Sequence, residues 1–447
     1  MKLKNQLLIT LVVLSFSGYA QKKNAVASSL PVAEIKKMAY ADSARLVTIF
    51  KDIHENPELG FMEVRTAAIV AKELKALGFE VMEGVGKTGV VGIMKNGDGP
   101  IVMYRADMDC NSVKETTGLP YASNKIAKKE DGTEVPVMHA CGHDAHTTWM
   151  MGIAKIMVTL KSQWKGTLIM IGQPAEEPSG GADAMAAEMY KKGVPEPDYL
   201  LGMHTAPVAV GYYMNAHGYR MAGADQFDVT FFGKGGHGSS PHEAIDPIVM
   251  AANAILQYQT IISRNIDPQA AAVVTVGAVV AGIDNNVIPA SATLKVNTRF
   301  FNNKDRDFIV NSINRIDSGI AIANNLPASL YPKMLMKGRV SPLVNDTAMV
   351  AKVSAALEKF VGPGKNIKGI PATMGSEDFQ HLVINNTKAV YDYLLIGIAN
   401  PEETAKANKA GKMFPYYNHN GDFKVDLAAI PFATSLGAVA LMEMFRK

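Results

Sequence analysis

The sequence predicts an α/β layer interrupted by a smaller α+β domain, and three features predict it. Short apolar runs alternate with helical stretches up to about residue 223, strictly alternating polar and apolar residues follow, and helix–strand alternation resumes after Leu343. At 447 residues with 48% hydrophobic content, the chain exceeds what a single core accommodates and is too apolar to stay disordered. Two cysteines rule out a disulfide-stapled scaffold. A net charge of only +3, with no long basic run, argues against nucleic acid as a partner.

The first twenty residues have the layout of a cleavable signal peptide. Lys2 and Lys4 precede an apolar run from Leu7 to Phe16, and Gly18-Tyr19-Ala20 supplies small residues before Gln21. A membrane anchor would need about 20 apolar residues, roughly twice this run. No cysteine follows for lipid attachment, so the expected product is exported, periplasmic or secreted, and free of the membrane.

Residues 40–78 carry helical periodicity on either side of Asn56-Pro57. Pro100 to Arg105, Gly166 to Ile171 and Tyr199 to Met203 read as buried strands, with a helix from Gly142 to Leu160 between the first two. Such strands separated by helices predict a largely parallel sheet. Gln226 to Phe232 and Ala292 to Arg299 alternate as half-exposed strands, with helices near 246–263 and 304–325. A strand near Tyr393 to Ile398 and a helix from Leu427 complete the main layer. The predicted organisation is a signal peptide at 1–20, a catalytic domain at 21–223 and 336–447, and an inserted domain at 224–335.

Three of the ten histidines, His139, His143 and His146, fall within eight residues, beside Cys141 and Asp144 and just before a helix. Sulfur and imidazole together suit a transition-metal site. The other candidates each follow a predicted strand: Asp107 and Asp109, Glu176 and Glu177, and His204. Ligands gather at the carboxyl ends of strands in open α/β sheets, so these segments are expected to converge on one crevice. Of two neighbouring carboxylates in such a crevice, one can ligate metal while the other moves protons.

The runs Arg105-Ala106-Asp107-Met108-Asp109, His139 to His146, Gln173 to Glu177 and Gly202-Met203-His204 resemble the di-metal amidohydrolases of metallopeptidase family twenty. Gly235 to Gly238 with Pro241-His242, Asp284 to Pro289, Gly375 to Phe379 and Asn418-His419-Asn420 extend the resemblance from about residue 40 to the C-terminus. The most similar branch holds hippurate hydrolase, N-acyl-amino-acid amidohydrolases and auxin-conjugate hydrolases. The resemblance implies a zinc-peptidase-like catalytic domain with an inserted lid and dimerisation domain. It further implies two divalent metals (Mn, Zn, Co or Ni) held by Cys141, His143, Glu177, His204 and His419. Glu176 is then general base and acid for a metal-bridged water, and Asp107 orients a metal-site side chain. His237 is expected to stabilise the oxyanion, often from the partner subunit of a homodimer or higher oligomer. Asn286 and Arg299 are implied substrate contacts, the Arg fork suiting a free carboxylate.

The implied substrate is an N-acyl or N-aroyl amino acid, and the runner-up is a short peptide cut by a carboxypeptidase or dipeptidase. Two other classes stay open on the residues alone: a cysteine hydrolase using Cys141, and a non-catalytic metal binder. The branch commonly has Ala-Leu-Pro after the second aspartate, whereas this chain has Cys110-Asn111-Ser112. A Cys110–Cys141 disulfide would abolish one metal ligand, because only the thiolate ligates.

Overall fold

The computed structural model describes residues 30–446, so the signal-peptide reading lies outside the described residues. Its centre is a seven-stranded sheet in the order Glu80–Val85, Gly89–Asn96, Gly166–Gln173, Ile101–Asp107, Tyr199–Ala209, Val390–Ala399, Tyr213–Met214. The four strands from Gly166–Gln173 to Val390–Ala399 run parallel. The remaining pairings are antiparallel, so the sheet is mixed rather than largely parallel. The reason is local: Glu80–Val85 and Gly89–Asn96 are joined by a tight turn, which can only return the chain antiparallel.

Both faces of the sheet are covered, and neighbouring residues feed opposite cores. Val102 and Tyr104 join a core with Trp149, Ile153, Leu436 and Leu441. Met103 points the other way, among Met185, Met189, Leu200 and Leu382. This two-sided burial is why the central strands are continuous apolar runs. Helix Ala429–Met444 is buried almost all round, and it packs against helix His143–Thr159.

A ribbon of Gly218–Met221 paired with Leu343–Asn345 leads to a second sheet. Its order is Val273–Ala281, Ser291–Phe300, Gly223–Phe232, Lys333–Val340, antiparallel throughout. Phe227, Val229 and Phe231 face one side, where helices Pro247–Thr260 and Asn303–Ala323 close a core around Tyr258, Leu294 and Ile313. Among the described residues, no helix is long and apolar enough to cross a membrane.

Candidate active site

Five segments converge at the carboxyl edge of the parallel strands. Asp107 ends its strand, and Glu176 and Glu177 follow Gly166–Gln173. His204 lies inside its strand, which runs on to Ala209 rather than stopping at Met203. Cys141 and His143 flank Gly142, whose left-handed backbone (φ 86°) bends the chain into helix His143–Thr159. His419 is itself left-handed (φ 65°), and its N–H donates to the Ala140 carbonyl at 2.8 Å, which ties its loop to the cysteine segment.

The side chains meet closely. Cys141 Sγ lies 3.4 Å from His204 Nε2 and 3.3 Å from His419 Nε2. Glu177 Oε1 lies 3.2 Å from His419 Nε2 and 3.9 Å from His143 Nε2. Glu176 Oε2 is 4.0 Å from His143 Nε2. Among the described residues, five overlapping groups could hold metal: Cys141, His143 and His204; Cys141, Glu177 and His419; His143, Glu176 and Glu177; Asp107, His143 and His146; Glu176, Glu377 and Asp378.

The electrostatics are those of a site with excess negative charge. Burial opposes ionisation of Cys141, but the His204 imidazole, 3.4 Å from its sulfur, brings the thiol down to about 6. Glu177 is partly buried, yet its pairing with His419 and the charge of His143 bring it to about 2. Glu176 moves the opposite way, raised by burial and by the carboxylates of Glu377 and Glu177. Bonds to Cys141 and Glu177 raise His419 to about 10. Burial would discharge His143, but Asp107 and a bond to Asp109 hold its proton. These imidazolium protons stand where cations are wanted, and metal binding displaces such protons. His143 Nε2 is buried without a hydrogen-bond partner, as a ligand atom would be. The donor set therefore fits divalent transition metals.

The supporting bonds are divided between two aspartates. His143 Nδ1 is 3.2 Å from Asp109 Oδ1, so Asp109 is the carboxylate that fixes this ring. Asp107 instead accepts from His146 Nδ1 at 2.6 Å and from Arg105 at 2.6 Å. His146 Nε2 accepts the Thr205 N–H at 2.8 Å, which assigns its proton to Nδ1. Burial keeps this ring neutral, with its pKa lowered to about 3. Arg105 also reaches Gln173 at 2.7 Å and Glu377 at 2.8 Å, and the Tyr393 hydroxyl closes on Glu377.

Three expected contacts lie apart from this cluster. His237 is exposed on Gly236–His237, with Nδ1 2.7 Å from the Ser239 hydroxyl. Asn286 is exposed nearby, its carbonyl accepting the Gly238 N–H at 2.8 Å. Arg299 is half-buried and donates to Ser376 Oγ at 2.8 Å, next to Glu377. Cys110 and Cys141 are both free thiols. A cavity of about 540 Å³ opens against Glu177 and is lined in part by Leu59, Met62, Cys110, Asn111 and Ser112.

A carboxylic acid of raised pKa beside thiol, imidazole and carboxylate donors, at the edge of a parallel sheet, is the equipment of a metal-dependent hydrolase. The model of Peptidase family M20/M25/M40 matches residues 103–410, and the chain belongs to that family. It is 41% identical over 333 residues to hippurate hydrolase of Campylobacter jejuni, covering 73% of this chain and 82% of that one. It is 34% identical to an IAA-amino acid hydrolase of Arabidopsis thaliana, covering 88% and 84%. Among solved structures, a dinuclear metal-binding peptidase of the same family from Bacillus subtilis superposes with a TM-score of 0.70. That pair is 27% identical, covering 91% of this chain and 99% of the other.

Proposed function

We propose that this protein hydrolyses the amide bond of N-acyl or N-aroyl amino acids with two divalent metals. The observation that carries the reading is Glu176, protonatable and mostly enclosed within reach of the ligand cluster, in a chain 41% identical to a hippurate hydrolase. Cys141, His143, Glu177, His204 and His419 would hold the ions, which when bound supply Lewis acidity to the substrate carbonyl and to water. Glu176 takes the proton released as water attacks and delivers it to the leaving amine nitrogen. Asp109 and Asp107 hold the His143 and His146 rings, and Arg299 with Asn286 contacts the free carboxylate. His237 reaches the oxyanion of a second copy's site, in a homodimer joined through the inserted sheet. The basic and apolar N-terminal stretch supports export.

The test is dialysis against a chelator, followed by a panel of hippurate-like conjugates and dipeptides. Hydrolysis of the conjugates is expected to vanish and to return with Mn, Zn, Co or Ni, and activity that survives metal removal would overturn the reading. Dipeptides cleaved far faster than conjugates would instead favour the peptidase alternative on the same site. Glu176→Gln is expected to abolish turnover while retaining metal content, because the amide keeps the shape but cannot shuttle a proton.

A further inference from the structure

The Glu176-Glu177 turn is bent in a way its own residues do not explain. Ala175 and Ser179 are both left-handed, with φ 48° and 58°. Neither residue type favours that region, and such strain persists only where the surroundings enforce it. Two carboxylates from distant segments hold its backbone: the Glu177 N–H donates to Asp109 Oδ2 at 3.0 Å, and the Ala175 N–H, at the start of the turn, donates to Glu63 Oε1 at 2.8 Å from 112 residues away.

Glu63 immediately precedes helix Val64–Ala76 but does not serve it. The first N–H groups of that helix, on Arg65 and Thr66, are taken by Glu58 at 2.8 Å each. The Glu63 carboxylate is fully buried and gathers three donors from three separate segments: Ala175, the Phe61 N–H at 3.0 Å and the Thr88 hydroxyl at 2.5 Å. Phe61 and Lys87 beside it are also left-handed (φ 64° and 82°), so positive-φ residues collect on this one carboxylate. Gly60 packs so tightly on the turn that a Cβ there would sit 3.1 Å from Ala175 Cα and 3.0 Å from Pro178. The Glu63 side chain makes no hydrogen bond to a metal-ligand residue or to the cavity lining described above.

We propose that Glu63 is a positioning residue: its Oε1 clamps Ala175 and so aims Glu176 and Glu177 at the metal centre. This rests on the proposed roles of those two glutamates. The feature that matters is an acceptor oxygen at that reach, since one atom receives both backbone N–H groups.

Three variants separate reach from charge. Glu63→Gln keeps an acceptor at the same distance, Glu63→Asp keeps the charge but is one methylene too short, and Glu63→Ala removes both. Zinc affinity is measured by competition with a chelating dye, and kcat and KM are measured on a hippurate-like conjugate at saturating metal. For the Asp and Ala variants, zinc affinity and kcat are expected to fall about 10- to 100-fold with KM nearly unchanged. Glu63→Gln is expected to stay near wild type in both. If Glu63→Ala does not fold, the Asp and Gln pair carries the comparison. An Asp variant within about threefold of wild type in both readouts overturns the proposal, as does a Gln variant no better than Asp. A wild type inactive on all conjugates would sink the substrate reading yet leave the order of zinc affinities to decide the role of Glu63.

Discussion

His54 sits between two carboxylates that need one cation. Its Nδ1 lies 2.6 Å from Asp144 Oδ2 and its Nε2 3.2 Å from Glu115 Oε1, all buried. Burial works against a charge on this ring, but the two hydrogen-bonded carboxylates prevail and lift its pKa from 6.5 to about 10. The folded protein therefore keeps a proton that the unfolded chain releases above 6.5. The resulting stability is complete below that value and drains away as pH rises through about 10. Denaturant unfolding at a series of pH values should show this decline, and His54→Leu should flatten it. At neutral pH the variant should lose about 3–5 kcal/mol, since two buried carboxylates are left without their cation. A wild-type profile level across that window would refute the assignment. Asp144 directly precedes Ala145 in the helix that carries His143, so the same bond steadies the start of the metal-bearing helix.

That helix start is also where one glycine is required. Gly142 has φ 86°, and a Cβ on it would meet Thr205 Cγ2 at 2.5 Å and Oγ1 at 2.9 Å. The Thr205 hydroxyl is needed there, because it donates to the Cys141 carbonyl at 2.7 Å. Gly142→Ala should cost about 1–3 kcal/mol for the overpacking, plus about 1–2 kcal/mol for the left-handed backbone. It should also weaken metal binding, because Cys141 and His143 lie on either side; a melting curve and metal analysis measure the two effects. An unchanged melting temperature would show that the strand carrying Thr205 yields easily. The elements around this point were legible in the sequence because each of these strands is an apolar run with a chemically reactive side chain in it or just beyond it. Glu80–Val85 was not, because it is a mostly exposed edge strand without such a run. The bonds joining Arg105 to Glu377 span 272 positions, and Glu63 meets Ala175 only in the fold. Periodicity reports which face of an element is buried and carries no information on such distant pairs. For the same reason Asp107 and Asp109 could be recognised as site residues while the ring each one holds could not.

At the scale of the molecule, the inserted sheet leaves an apolar surface uncovered. Val249 and Leu256, seven residues apart on one helix face, are 61% and 72% exposed, and Val280 on the edge strand is 58% exposed. The outer edge of Val273–Ala281 pairs with no other strand among the described residues. An unpaired strand edge flanked by apolar side chains is a template for another chain. His237 is exposed too, paired in register with exposed Val287. If a second copy covers the surface and His237 completes the partner's site, two inactive variants should restore each other. Glu176→Gln and His237→Ala, each inactive alone, would form mixed dimers in which one site combines the intact Glu176 of one copy with the intact His237 of the other. Random pairing then predicts about a quarter of wild-type activity on co-expression, because half the dimers are mixed and one of their two sites is whole. Action within one chain predicts none, since every site would lack one of the two groups. Leu256→Glu should abolish the recovery by driving the protein to monomers, which sedimentation detects independently of activity. Recovery that persisted with Leu256→Glu in both copies, the dimer intact, would show that this surface is not the one that brings His237 to the site.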